Sequence, residues 1–184
     1  MFRPLVFTQT VMLTLALFAA PAAAEVVQRS ADSFTLRYEV GAEIDPADIP
    51  GAMVDVGRWW DSAHTYSGDV ANITVDLTPG GCWCERLADG SAFEHARVVM
   101  VTADRLVFEA PFGPLKGRAT SAVLTVTWPA ANRGWTPTWT MTVEGPGVGV
   151  MADGVDGVMH AGYLRWLRYL ETGEAPAVAG ASED

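Results

Sequence analysis

An apolar stripe near the C-terminus limits the possible folds of this chain more than any other feature. Its residues recur at i, i+3, i+4, i+7, i+8, i+11, i+12 and i+15, a spacing that places all of them on one face of an α-helix. They are Val155, Val158, Met159, Gly162, Tyr163, Trp166, Leu167 and Leu170. Asp153 or Asp156 is expected to cap the start of this helix, and Gly173 to end it.

Most of the chain before this helix is predicted to form short strands. Up to seven segments alternate apolar and polar residues or lie between clusters of turn-forming residues. They are Ser33–Ile44, Ile73–Leu77, Cys82–Leu87, Phe93–Val101, Arg105–Ala110, Ser121–Trp128 and Thr138–Glu144. The connections between consecutive segments are mostly short, which favours antiparallel pairing.

A short helix is expected after the first strand. Asp45 and Pro46 are typical of a helix start, and the residues that follow have apolar side chains at helical spacing. Pro50 and Gly51 interrupt this pattern, so the helix is predicted to be kinked or broken there. The predicted fold class is α+β: a curved antiparallel sheet of six to seven strands wrapped around the long C-terminal helix.

Residues 1–24 are predicted to be a secretory signal peptide. Arg3 gives the N-terminus a positive charge, Val11–Ala20 is apolar, and Ala22–Ala24 offers a small-residue cleavage site. The apolar run is too short for a membrane span. We therefore expect the protein to be exported to the periplasm or beyond after cleavage near Ala24.

The rest of the chain is expected to form one domain over residues 25–176, followed by a flexible acidic tail over 177–184. The 184-residue chain has 22 acidic and 12 basic side chains and a formal net charge of −10. This charge disfavours nucleic acid and anionic membrane surfaces as partners. No further apolar stretch is long enough for stable membrane insertion, and the sequence leaves the oligomeric state open.

Several short motifs accompany this order of elements. They are Val54–Trp60 (VDVGRWW), Pro79–Trp83 (PGGCW), Asp104–Phe108 (DRLVF), Val123–Trp128 and Arg165–Gly173 (RWLRYLETG). Together they resemble the START-like, or helix-grip, superfamily, which includes polyketide cyclases and activators of heat-shock-protein ATPases. The resemblance extends from about Ser33 to Gly173 and implies a cavity for an apolar ligand between sheet and last helix. It carries no universal catalytic residues.

Eight residues are predicted to line such a cavity, because they lie on the long helix, on strands facing it, or near its mouth. They are Trp60, Trp83, Phe108, Trp139, Met141, Met159, Tyr163 and Trp166. Tyr163 and an indole N–H are expected to donate hydrogen bonds to the polar end of a ligand. The expected partner is a small apolar or amphipathic molecule.

Cys82 and Cys84 flank Trp83 on one predicted strand. In a regular strand their Cα atoms would be about 6.6 Å apart on one face, which is at the wide end of disulfide geometry. A disulfide and a pair of thiols with a packing role both remain open. A metal site is not predicted, because His95 is the only histidine expected nearby and metal sites need more ligands. No cofactor is implied.

Glu85, His95 and His64 are the candidates for acid–base chemistry. A solvent-exposed position is the simpler interpretation of each. The leading hypothesis is therefore an exported protein that binds a small hydrophobic molecule without turning it over. The alternative is a cyclase- or hydratase-like enzyme acting in the same cavity, and a thiol redox or metal-handling role of the cysteine pair ranks last.

Overall fold

The fold is built on one antiparallel sheet, and the computed structural model describes residues 25–42, 44–128 and 136–174. The predicted signal peptide, the acidic tail and most of the loop 129–137 lie outside the described residues. The sheet has eight strands in the order β1-β2-β8-β7-β6-β5-β4-β3. The strands are β1 (Glu25–Arg29), β2 (Ser33–Tyr38), β3 (Ile73–Val75), β4 (Cys82–Arg86), β5 (Ala92–Val101), β6 (Arg105–Glu109), β7 (Ser121–Thr127) and β8 (Thr138–Glu144). The α+β fold class is thus confirmed.

Strand β1 makes the sheet larger than the six to seven strands predicted. It pairs with β2 in antiparallel fashion, with a register shift between Val26 and Gln28. This irregularity breaks the alternation by which a strand is recognised, since Val26 is partly buried while Val27, Gln28 and Arg29 are all exposed.

Strand β2 ends at Tyr38, not at Ile44 as predicted. Its partner β8 starts at Thr138, next to the residue that pairs with Tyr38, so the chain beyond Tyr38 has no strand to pair with. The backbone N–H of Val40 donates instead to the hydroxyl of Tyr163, at 3.1 Å. Backbone donors that lose a sheet partner need another acceptor, and here a side chain supplies it.

The helical segment after β2 is broken, but not where the sequence indicated. Helix α1 spans Ile49–Val54 and helix α2 spans Val56–Trp59, with Asp55 between them. Pro50 lies in the first turn of α1, where its missing N–H costs no helical hydrogen bond, so it does not interrupt the helix.

Helix α3 (Ala152–Thr172) packs its apolar stripe on the sheet and on the short helices. Val155, Met159, Gly162, Tyr163, Trp166 and Leu167 are buried, whereas Val158 and Leu170 are partly buried. This confirms the predicted face of the helix. Among the described residues no helix is long and apolar enough to cross a bilayer.

The ends of α3 match the prediction only at the C-terminus. Gly173 adopts the left-handed conformation with φ of 69° and ends the helix. The cap predicted at Asp153 or Asp156 is wrong, because the 3₁₀ turn Val148–Met151 continues directly into α3. Asp153 instead pairs with Arg29, and Asp156 accepts a hydrogen bond of 2.9 Å from the hydroxyl of Tyr38.

Candidate functional site

A pocket of about 520 Å³ lies between the first half of α3 and the end of the sheet formed by β3, β4 and β5. The helix and the turn before it contribute Val150, Met151, Gly154, Val155, Val158 and Met159, and the strands contribute Ile73, Trp83 and His95. The remaining wall comes from Trp60, His64, Thr65 and Tyr66 on one side and Phe112, Gly113 and Pro114 on the other. This volume and mostly apolar lining are typical of sites for small molecules.

The aromatic wall of the pocket is held by edge-to-face ring contacts. The ring of Trp83 has its centroid 5.9 Å from that of Trp60 and 5.2 Å from that of Phe112, with steep angles between the planes. Trp83 also contacts Trp59 and Phe108 behind the wall. Because Trp83 at its centre is restrained by four other rings, this wall is preformed.

Gly162 brings helix α3 into direct contact with Trp60. A Cβ atom at this position would lie 3.0 Å from two carbons of the Trp60 ring and closer still to Cζ3. The absence of a side chain in the apolar stripe therefore serves close packing of helix and ring. It leaves no space for a ligand at this point, and it fixes the ring that forms one wall of the pocket.

Of the eight residues predicted to line the cavity, Trp60, Trp83 and Met159 line this pocket. The structure places the other five in the packed core beside it: Phe108, Trp139, Met141, Tyr163 and Trp166, each with no exposed surface. The second half of α3 meets the sheet directly, and the ring centroids of Trp139 and Trp166 are 5.2 Å apart. The expectation that these five form a cavity wall is therefore corrected, since their neighbours fill the space.

The Tyr163 hydroxyl, predicted to bind a ligand, is used within the protein. It donates to the carbonyl of Pro137 at 2.7 Å and accepts from the N–H of Val40 at 3.1 Å. Burial raises its pKa to about 12. The indole N–H groups of Trp139 and Trp166 are buried without a hydrogen-bond partner in the described part of the chain, and neither residue lines the pocket.

Glu85 and His95 form a buried polar pair at the sheet side of the pocket. Oε2 of Glu85 lies 2.8 Å from Nε2 of His95, and their side chains are 0% and 8% exposed. The same oxygen accepts from the N–H of Tyr66 at 3.0 Å, and Oε1 accepts from the N–H of Ser67. The exposed positions expected for both residues are therefore wrong. Alternation along β4 directs Glu85 inward with Trp83.

The surroundings keep Glu85 charged and His95 uncharged. Burial acts to raise the pKa of Glu85, but the hydrogen bonds from Ser67, Tyr66 and His95 outweigh it and hold the pKa below its ordinary value. Burial lowers the pKa of His95 by more than Glu85 raises it, and Lys116 adds to the lowering. At neutral pH the pair is consequently a carboxylate and a neutral imidazole.

His64 lies in the rim of the pocket with an exposed side chain, as the simpler interpretation expected. Its backbone carbonyl accepts a hydrogen bond of 3.3 Å from the indole N–H of Trp60. Asp61 accepts from the N–H of Ala63 at 2.9 Å and caps the 3₁₀ turn that contains His64. Both residues thus shape the rim through the backbone.

A disulfide joins Cys82 and Cys84, on the face of β4 opposite Trp83 and Glu85. The Cα atoms are 5.3 Å apart, closer than in a regular strand. The register of β4 against β5 shifts between Trp83 and Cys84, and this bulge shortens the strand at the point where the bridge forms. In the described residues no group of three or more His, Cys, Asp or Glu side chains is arranged to hold a metal ion.

Comparison with known proteins gives a fold but no family. No family model matches the sequence, and no curated protein matches it. Solved structures do match. A protein of Rhizobium leguminosarum superposes with a TM-score of 0.53 at 21% identity over 79% of this chain and 99% of that one.

Two further solved structures name proteins of different kinds. The di-domain ARO/CYC StfQ of the steffimycin biosynthetic pathway has a TM-score of 0.51 at 13% identity over 79% of this chain, which spans only 52% of StfQ. The Aha1 dimer of Colwellia psychrerythraea has a TM-score of 0.51 at 12% identity, over 77% of this chain and 98% of that one. The chain therefore has the helix-grip fold that these proteins share.

Proposed function

We propose that this protein binds a small hydrophobic or amphipathic molecule in the pocket between α3 and the sheet. The observation that carries the proposal is a preformed pocket of about 520 Å³ with mostly apolar walls, into which the buried Glu85–His95 pair presents the His95 ring. An apolar pocket with few polar groups at defined positions is the common form of a small-molecule site. The fold shared with the ARO/CYC protein StfQ supports a role based on a cavity.

We further propose that the protein acts after export. The sequence of residues 1–24 favours a signal peptide, and the Cys82–Cys84 disulfide is the type of bond that persists in oxidising compartments. Fractionation of cells producing the full chain tests this point. Recovery of the uncut chain from the cytoplasm would contradict it.

Two glycines of α3 offer a matched test of the pocket. Gly154 lines the pocket and Gly157 does not, although both are exposed helical positions at which a new Cβ meets no atom within 4 Å. The Gly154→Phe side chain is expected to fill part of the pocket and the Gly157→Phe side chain to lie in solvent. Titration with the neutral fluorescent probe N-phenyl-1-naphthylamine reports binding.

The wild type and Gly157→Phe are expected to bind the probe with the same affinity. Gly154→Phe is expected to bind it at least about tenfold more weakly, which corresponds to a loss of about 1.4 kcal/mol of binding free energy. Native mass spectrometry of the protein purified from the periplasm is expected to show a bound apolar molecule lost from the same variant. Equal affinities of the two variants would place binding elsewhere and refute the proposal.

A second candidate function is acid–base catalysis, and the buried Glu85–His95 pair favours it. A carboxylate that orients an imidazole beside a substrate pocket is an arrangement found in general-base sites. The two functions differ in what happens to the bound molecule. The co-purified ligand is incubated with the wild type or with His95→Gln, and its mass is measured afterwards. A changed mass with the wild type but not with His95→Gln would establish turnover, whereas an unchanged mass with both supports binding alone.

A further inference from the structure

One ring nitrogen of a buried histidine in the pocket wall has no partner among the described residues. His95 is 6% exposed, and its ring is part of the pocket wall. Its Nε2 is bonded to Glu85, and Nδ1 has no hydrogen-bond partner in the described residues. The buried side-chain atoms without partners in that part of the chain are the indole nitrogens of Trp139 and Trp166. Nδ1 is therefore not sealed off, and the pocket is the space that its ring faces.

The chemistry of Glu85 determines what Nδ1 offers. An ionised carboxylate only accepts hydrogen bonds, and both oxygens of Glu85 already accept from the backbone N–H groups of Tyr66 and Ser67. The atom that faces Glu85 must therefore be Nε2–H. In a neutral imidazole the other nitrogen is then a lone-pair acceptor, and Nδ1 presents this acceptor to a ligand.

The His64 ring and the Tyr66 hydroxyl belong to exposed residues of the wall, whereas several less exposed polar groups are already engaged. The indole N–H of Trp60 donates to the carbonyl of His64, and the hydroxyl of Thr65 donates to the carbonyl of Ser62 at 2.8 Å. The N–H of Ala152 at the start of α3 donates to Gly149 in the preceding turn. These groups are not free to receive a ligand oxygen.

The charge around His95 disfavours an anion. The carboxylate of Glu85 lies directly behind the ring, at 2.8 Å from Nε2. The nearest cation that acts on His95 is Lys116, whose Nζ lies over the ring of Phe93 and donates to the carbonyl of Glu94 at 2.5 Å, outside the pocket wall. A carboxylate placed against Nδ1 would lose its hydration and meet a lone pair with a negative charge behind it.

We propose that the preferred ligand is an uncharged apolar molecule with one hydroxyl or N–H group that donates to Nδ1 of His95, and that the site rejects carboxylates. This inference rests on the proposed binding function and narrows it to a ligand class. His95 is thus a specificity-determining residue, and Glu85 acts through it by holding the tautomer.

Three pyrene derivatives of similar shape test the proposal on the full chain: 1-hydroxypyrene, 1-methoxypyrene and pyrene-1-carboxylate. The first donates a hydrogen bond, the second only accepts, and the third is an anion. Calorimetric titration is expected to rank them in this order, with the phenol about tenfold tighter than its methyl ether. Equal binding of all three, or tightest binding of the carboxylate, would leave a binding pocket and overturn this inference. Absence of binding by all three would contradict both proposals.

Substitutions of the histidines identify the acceptor. His95→Phe is expected to abolish the difference between the phenol and the ether, and His95→Gln, which keeps a donor toward Glu85 and an acceptor, to restore part of it. His160→Phe is the matched control, because His160 stacks on Tyr38 away from the pocket. Retention of the phenol preference in a folded His95→Phe protein would overturn the assignment. If that variant does not fold, the ligand ranking of the wild type decides alone.

Discussion

Replacing Gly162 with alanine should destabilise the protein even though alanine is the better helix former. Glycine inside a helix costs about 0.5–1 kcal/mol relative to alanine, so the backbone term favours the substitution. The packing term opposes it, because the new Cβ would lie 3.0 Å or less from three carbons of the Trp60 ring. Carbon atoms pack best at about 3.5–4.0 Å.

The packing term is expected to win. Trp60 is 7% exposed and its ring contacts Trp59 and Trp83, so a shift of the ring away from a new Cβ would disturb both contacts. Overpacking of a filled core costs about 1–3 kcal/mol, which leaves a net loss of about 1 kcal/mol after the helical gain. For a domain of this size the melting temperature would fall by about 2–4 °C.

Gly157→Ala is the matched control on the same helix. Its Cβ would meet no atom within 4 Å, so it keeps the helical gain without the clash and should raise the free energy of unfolding by about 0.5–1 kcal/mol. Denaturant unfolding of both variants measures the difference between them directly. Should Gly162→Ala be as stable as Gly157→Ala, the contact with Trp60 is easily accommodated and the reasoning fails. In a Trp60→Leu background Gly162→Ala should lose most of its cost, because the ring that it clashes with is absent.

Three further outcomes are expected. The midpoint of denaturant unfolding of the wild type should fall as the pH drops from about 7.5 to about 5.5. The reason is that the pKa of His95 is held below its ordinary value of 6.5, so the unfolded chain binds the proton first. His95→Gln should flatten this part of the pH profile, and a midpoint that rises on acidification would contradict the prediction. Below pH 4.5 a second loss of stability should follow, because the pKa of Glu85 is lowered in the fold and the unfolded chain takes up the proton first. Glu85→Gln should reduce this loss without removing it, because the pKa values of Asp76, Asp89 and Asp153 are lowered as well. Replacing Cys82 and Cys84 with serine should lower the free energy of unfolding by only about 1.5 kcal/mol, since the disulfide closes a very short loop. A loss above about 4 kcal/mol in denaturant unfolding would show that the bulge in β4 depends on the disulfide.

The elements that are periodic over many residues could be predicted from the sequence. The stripe of α3 and the alternating faces of β2 and β8 follow from side-chain directions that every helix and strand shares. Strand β1 and the end of β2 at Tyr38 could not be predicted in this way. Both depend on where a partner strand lies, which is a property of the tertiary structure.

The candidate site was predictable only in part, for a related reason. Periodicity determines which residues of α3 face inward, but not what lies opposite them. Met159 faces the pocket and Trp166 faces packed rings, although both belong to one stripe. The inward direction of Glu85 follows from that of Trp83 two residues earlier. Its pairing with His95 depends on the alignment of two strands and of the backbone at Tyr66, and no local pattern records it.

The division of α3 into a half that lines the pocket and a half that is packed has a consequence for the divergence of such proteins. Residues that line the pocket, such as Gly154 and Val158, lie in its first half, whereas the packed residues Tyr163 and Trp166 lie in its second half. Substitutions in the first half can therefore change the shape of the pocket while the packed half continues to hold the fold. Under the proposed binding function, descendants of such a chain could exchange one ligand for another in small steps, each of them a folded protein.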